Sequence, residues 1–180
     1  MDVMARRIEG VAGSCRQADR PFVTVSYAQS IDGSIATRRR RPLPISGPAS
    51  MRMTHGLRTL HGGILVGIET VLADDPRLTV RLVEGPHPQP VVLDTRLRTP
   101  ARARLLQRQD CRSWLVGAED NPAERVAAVT RAGAEVLPCG RDGENGRLDL
   151  HRTLALLHAR GLRRLMVEGG ARVITSFIRA

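Results

Sequence analysis

From Pro21 onward, short apolar runs alternate with longer segments whose apolar positions recur at helical spacing. Phe22–Ala28 (FVTVSYA) alternates as a half-buried strand does. Ile64–Val66, Pro90–Asp94, Ser113–Gly117, Ala134–Leu137 and Leu165–Val167 are short, continuous apolar stretches. Runs of that kind suit parallel strands covered on both faces. Pro48 to Leu60 reads as a helix with Met53, Leu57 and Leu60 inward. Asn121-Pro122-Ala123-Glu124 offers a capping residue, a proline at the first helical position and a capping-box carboxylate. That helix is expected to run to Ala132 and to stop at Gly133. Asp149 caps a further helix that places Leu150, Leu154 and Leu157 on one face and ends at Gly161. A last helix opens at Gly169-Gly170 and is still running at Ala180. Residues 1–20 lack clear periodicity and read as a tail or an extra helix ahead of one domain, 21–180. Strands alternating with helices specify an α/β fold with a mostly parallel central sheet.

A chain of 180 residues, 42% hydrophobic and 26% charged, is long enough for a core and too apolar for disorder. It holds no apolar run of the roughly 18–20 residues that a bilayer span needs, and no apolar block follows the basic N-terminus. A cytoplasmic protein with no membrane partner is the expectation. Cys15, Cys111 and Cys139 are widely spaced, which argues against a disulfide framework or a zinc site. The five histidines form no metal-binding motif and read as surface residues.

Charge changes the picture more. Every one of the 28 basic residues is arginine, so lysine chemistry is excluded, and the net charge is +10. Such a balance raises nucleic-acid binding, because arginines neutralise phosphates. Only Phe22, Tyr27, Trp114 and Phe177 are aromatic, too few for a stacking platform, and the arginines are scattered outside Arg38–Arg41. The expectation is therefore no nucleic-acid partner.

Four segments carry the candidate chemistry. Tyr27–Ala36 (YAQSIDGSIA) makes a turn after the first strand, with Asp32 at its centre. Ile64–Arg81 (ILVGIETVLADDPRLTVR) runs from a strand through a short helix into an acidic-proline turn. Val91–Arg96 (VVLDTR) ends a strand in a hydroxyl and an arginine, groups suited to a phosphate. Leu165–Ala171 (LMVEGGA) ends a strand in a carboxylate and passes through two glycines to a helix N-terminus, where free N–H groups suit a pyrophosphate.

In this order the four segments resemble the riboflavin-pathway pyrimidine reductase family, whose two-domain members join this module to a deaminase. The likeness runs from about Pro21 to the last residue and is sharpest in LVGIETVLADDPRLTVR, supported by SIDGSIA, VVLDTRLRTP and VEGGA. It implies a dihydrofolate-reductase-like fold, a homodimer, and NADPH-dependent reduction of a ribosylaminopyrimidine 5′-phosphate, 5-amino-6-(5-phosphoribosylamino)uracil or its precursor form, by hydride transfer to ribose C1′. It places Ala28, Thr70, Asp74 and Thr95 against NADPH, with Gly169, Gly170, Ala171, Arg172, Val173, Ile174, Thr175 and Ser176 at the pyrophosphate. Arg58, Leu78, Arg81 and Glu168 fall where the family holds its phosphorylated pyrimidine, with Glu168 and Asp32 as the expected catalytic residues. The sequence departs from the family in three places. Ser26 replaces a lysine, Pro42-Leu43-Pro44 replaces a Ser-x-Trp element, and the family's sheet-completing strands are not expected after Ala180, which implies either a truncated domain or a shortened sheet with an exposed edge. The rival readings are a pterin- or folate-type reductase on the same fold, a non-catalytic NADPH-binding remnant and a basic nucleic-acid binder.

Overall fold

A computed structural model describes residues 2–14, 19–35, 45–143 and 146–179. The order of elements is α1 (Asp2–Ser14), β1 (Phe22–Val25), α2 (Pro48–Thr59), β2 (Gly63–Gly67), α3 (Ile68–Asp74) and β3 (Gln89–Leu93). A 3₁₀ turn (Arg104–Gln107) follows, then β4 (Ser113–Ala118), α4 (Ala123–Arg131), β5 (Ala134–Cys139), α5 (Leu150–Ala159), β6 (Arg164–Val167) and α6 (Ala171–Arg179). The strands form one six-stranded sheet in the order β1-β6-β2-β3-β4-β5, and every pairing is parallel.

Period-two alternation divides the apolar runs between two cores. Ile64 and Val66 of β2 join Val92, Leu115, Leu105 and Val129 on one face. Leu65 joins Val91, Val116, Leu137, Leu165, Leu154 and Leu157 on the other. Because both faces are covered, the central strands read as unbroken apolar runs rather than alternating ones. The edge strand β1 is only half buried along its length, which explains its alternating sequence.

The expected helix ends hold at three places, one of them Gly161, which takes φ +90° after α5. Gly133 takes φ +107° after α4, and the Asp149 carboxylate accepts from the Arg152 N–H at 3.1 Å to cap α5. Three expectations need correction. Pro122, not Asn121, stands at the N-cap of α4. Asn121 instead donates from Nδ2 to the carbonyls of Thr95 (2.9 Å) and Ala118 (2.7 Å), tying two strand ends together. Met53 faces outward at 41% exposure, because α2 buries the consecutive stretch His55 to Arg58 rather than a leucine–methionine stripe. His55 and His61 are not surface residues; they are 0% and 3% exposed. The loop Arg38–Pro44 lies outside the described residues.

Candidate active site

All strands run the same way, so their carboxyl ends share one edge of the sheet. The chain steps outward from β2 to β5, then returns in β6 to the other side of β2. In open parallel sheets the crevice beside such a reversal is where ligands bind. The segments after β1, β2, β3 and β6 open onto that edge, and they are the four segments singled out above.

Glu168 follows β6, and its N–H continues the ladder by donating to the Leu65 carbonyl at 3.0 Å. Both carboxylate oxygens are gripped by Arg58 of α2, with Nε to Oε1 at 2.7 Å and a second guanidinium nitrogen to Oε2 at 2.6 Å. The remaining arm of Arg58 donates to the Thr79 carbonyl at 2.8 Å. Arg58 is therefore committed to protein partners, and Arg81 is the exposed guanidinium of the pair expected to face substrate. Burial, then the like charges of Arg58, Arg77 and Arg104, depress the Arg81 pKa from its ordinary value. Four arginines crowded in this way favour an anion that draws them together.

The segment from Asp75 to Arg81 has no regular structure, and Asp75 and Leu78 take φ +41° and +53°. Side chains hold it in place of a ladder. Asp75 accepts from the Arg104 N–H at 2.8 Å, and Arg108 donates to the Leu78 carbonyl at 3.3 Å. The Val80 N–H donates to His87 Nδ1 at 3.3 Å, and the Arg81 N–H to His55 Nδ1 at 2.9 Å. Leu78 itself is 2% exposed in the core, so its contact with a ligand is limited to the main chain.

Beside Glu168, Gly169 and Gly170 lead into α6. Gly170 takes φ +79°, a conformation that favours glycine. A Cβ on Gly169 would lie 2.9 Å from Thr70 Oγ1, and one on Gly170 3.4 Å from the same atom. Thr70 of α3 thus stands directly over the glycine turn. Gly67, at the end of β2, lets α6 approach so closely that a Cβ there would meet Val173 Cγ2 at 2.7 Å. Within α6, Ile174 is buried, Val173 is half buried against Gly67, and Arg172 and Thr175 are exposed. Ala171 is exposed, and Ser176 returns its hydroxyl to the Arg172 carbonyl at 2.8 Å. Only the main chain of the buried positions is left for a ligand, as at a helix N-terminus that binds phosphate.

After β3, the fully buried Asp94 accepts from the Thr99 N–H and hydroxyl at 2.7 and 2.8 Å on one carboxylate oxygen, while its other oxygen has no partner among the described residues. This turn presents Thr95 and the exposed Arg96, and Arg98 pairs with Glu69 at 2.6 Å. Ala28 is half buried beyond β1, and Asp74 stands exposed at the end of α3, its pKa raised by desolvation. Asp32 sits on an exposed turn. Its carboxylate accepts from the Ser30 hydroxyl, and from the Ser34 N–H and hydroxyl at 3.2 and 3.1 Å. The Ser30 hydrogen bond, followed by those from Ser34, lowers its pKa. The structure thus joins Arg58, Glu168 and the Arg81 segment, and separately Thr70 with the glycine turn, whereas the hydrogen bonds of Asp32 stay within its own turn.

The residues that sequence reasoning missed are the two buried histidines. His61 bridges the Leu57 carbonyl and the Thr24 hydroxyl at 2.7 and 2.8 Å. His55 contacts the Arg81 main chain, as above. The available signal was position: His55 lies one turn before Arg58 on the face that proves buried. Among the described residues no cluster of metal-binding side chains occurs.

The profile of the RibD C-terminal domain matches residues 21–180. The chain belongs to this family. Two archaeal relatives, both named 2,5-diamino-6-ribosylamino-4(3H)-pyrimidinone 5′-phosphate reductase, support the membership. That of Archaeoglobus fulgidus is 41% identical over 169 residues, covering 88% of this chain and 74% of the relative. That of Methanothermobacter thermautotrophicus is 44% identical over 156 residues, covering 84% and 68%. The Saccharomyces riboflavin biosynthesis reductase Rib7 superposes with a TM-score of 0.69 at 30% identity, over 91% of this chain and 69% of that one. The resemblance read from the sequence and the dihydrofolate-reductase-like fold it implied both hold for this member of the RibD C-terminal domain family.

Proposed function

We propose that the chain reduces 2,5-diamino-6-ribosylamino-4(3H)-pyrimidinone 5′-phosphate, a step of riboflavin biosynthesis, with NADPH as hydride donor. The observation that carries this reading is adjacency: Glu168, assigned to the substrate, directly precedes the Gly169-Gly170 turn, assigned to the cofactor. One strand end thereby brings the two ligands together. Family membership narrows the reaction class, and the archaeal relatives' names favour the diamino form of the pyrimidine over its deaminated product.

The residues present fit a dinucleotide. The glycine turn under Thr70 leaves room that a side chain would fill, and α6 starts there with free N–H groups. Thr95 and Arg96 suit the 2′-phosphate. When bound, the nicotinamide would supply the hydride, its acceptor would be C1′ of the open-chain imine form of the ribosylamino group, and the imine nitrogen would take up a proton from solvent. The protein places the reactants and excludes water. Arg81 holds the 5′-phosphate. Each Glu168 oxygen bonded to Arg58 keeps a further acceptor lone pair, so the carboxylate orients N–H or O–H groups of the substrate. Asp32, with its pKa lowered, serves as an acceptor rather than a proton donor. We assign the working form to a homodimer in the cytoplasm.

The test is consumption of NADPH by the purified chain, followed by its absorbance, with the diamino pyrimidine and the deaminated form supplied in parallel. Turnover of the diamino form at higher kcat/KM is the expected result. Turnover of a pterin instead, or of neither pyrimidine, overturns the assignment. Light scattering checks the dimer.

A further inference from the structure

We propose that His55 is a positioning residue for substrate phosphate: it fixes the main chain of Arg81 and so aims the guanidinium. This inference rests on the proposed role of Arg81. His55 sits on α2 at 0% exposure, and its Nδ1 accepts the Arg81 N–H at 2.9 Å. An accepting Nδ1 puts the proton of the neutral ring on Nε2. That Nε2 is buried and meets no partner among the described residues, where the ring's one hydrogen bond is to Arg81. A buried polar group left half-satisfied costs stability, and its retention here calls for a use.

The geometry supplies one. Residues 78–81 lack a strand partner, and side chains take their place: Arg108 at the Leu78 carbonyl, Arg58 at the Thr79 carbonyl, His87 at the Val80 N–H and His55 at the Arg81 N–H. His55 and Arg58 lie one turn apart on α2, so a single helix face grips the segment at two points and also holds Glu168. The Arg81 guanidinium is steadied in turn by the Thr79 hydroxyl at 2.8 Å. A backbone hydrogen bond to Arg81 limits where its long, entropically costly side chain begins, and preorganisation of that kind strengthens binding. Burial, then the charges of Arg58 and Arg81, push the His55 pKa down to about 4, which keeps Nδ1 an acceptor at neutral pH.

The test compares His55→Asn with His55→Gln in the full chain. The Asn amide oxygen lies the same number of bonds from Cβ as Nδ1 and can accept from the Arg81 N–H, whereas the longer Gln amide matches Nε2. His55→Gln is expected to raise KM for the phosphorylated substrate about tenfold, with the smaller share of the loss in kcat. KM for the dephosphorylated nucleoside and NADPH affinity should change less than about twofold, and His55→Asn should restore most of the KM. In an Arg81→Ala background, adding His55→Gln should cost less than about twofold more, as expected of residues acting through one contact. Equal losses with the dephosphorylated nucleoside, or full additivity with Arg81→Ala, would overturn the role of His55 while leaving Arg81 in place. If Arg81→Ala alone leaves the KM of the phosphorylated substrate unchanged, the assignment of Arg81 falls, and that of His55 with it.

Discussion

Arg58 and Glu168 stand 110 positions apart in the chain and meet through two hydrogen bonds of 2.7 and 2.6 Å, with side chains 10% and 12% exposed. The pair ties α2 to the carboxyl end of β6 and holds the carboxylate at the carboxyl edge of the sheet. Removing one partner leaves a nearly buried charge without compensation. Glu168→Ala should therefore cost about 3–5 kcal/mol of unfolding free energy. Replacing both, Arg58→Met with Glu168→Leu, should recover most of that loss, because the desolvation cost disappears with the charges. Urea unfolding of the variants checks both values. The double variant should still lack reductase activity, since the carboxylate that orients substrate is gone. If it were active, the pair would be structural alone.

Much of this arrangement is legible in the amino-acid sequence. Unbroken apolar runs placed β2 to β6, because burial on both faces erases polar alternation in a parallel sheet, and alternation placed the half-buried edge strand β1. Asp149 and Gly133 signalled helix ends through local chemistry, which depends on neighbours in sequence only. The ion pair, the burial of His55 and His61 and the diversion of Asn121 from capping to bridging were not legible. Each is decided by a partner brought close through the fold: Glu168 for Arg58, Thr24 for His61, Thr95 for Asn121. His55 stands on α2 between Thr54 and Gly56, and its position one turn before Arg58 is the single hint of which face is covered. The glycine turn was legible as a motif, and the structure adds Thr70 above it.

His55 also makes stability depend on pH with a definite sign. Its pKa falls from 6.5 to about 4 on folding, so below 6.5 the unfolded chain binds a proton that the native chain refuses. Stability contributed by the neutral ring is complete above pH 6.5 and is lost as pH falls toward 4. The loss should approach about 3 kcal/mol at the acid end of that window. His61 has its pKa lowered too, chiefly by burial, and contributes in the same direction. Comparing the native chain with His55→Asn isolates the first group: the difference in unfolding free energy between about pH 7.5 and pH 4.5 should be smaller in the variant. Equal slopes would show that His55 is not held neutral.

On the proposed function, the turn after β3 selects between the two nicotinamide cofactors. Arg98 is paired with Glu69 and the Thr95 carbonyl is taken by Asn121 and the Ala118 N–H, which leaves the Thr95 hydroxyl and the exposed Arg96 for a 2′-phosphate. NADPH should bind at least about tenfold more tightly than NADH, or about 1.4 kcal/mol. Arg96→Ser should erase most of that preference by weakening NADPH alone. Fluorescence titration of both cofactors measures it, and equal affinities in the unchanged chain would remove this turn from the cofactor site.

The glycine turn needs a variant that separates a ligand's space from the backbone's own demands. Gly170→Val does not, because φ +79° strains a β-branched residue whether or not a cofactor binds there. Asparagine tolerates that region far better, and a Cβ at Gly170 meets only Thr70 Oγ1, at an ordinary 3.4 Å. Gly170→Asn should therefore fold, at a cost of about 1 kcal/mol. If the main chain of this turn lies against the cofactor pyrophosphate, the added amide fills the approach, and NADPH affinity should fall at least about tenfold. Gly169 gives the complementary case: its Cβ would stand 2.9 Å from Thr70 Oγ1 and 3.1 Å from Val66 Cγ1, inside the protein rather than in the approach. Gly169→Ala should lower the melting temperature more than Gly170→Asn does, yet weaken NADPH less per unit of stability lost. Thermal melting and NADPH titration on the same two preparations decide it. A Gly170→Asn protein that binds NADPH like the unchanged chain would leave the glycines with the turn as their whole purpose.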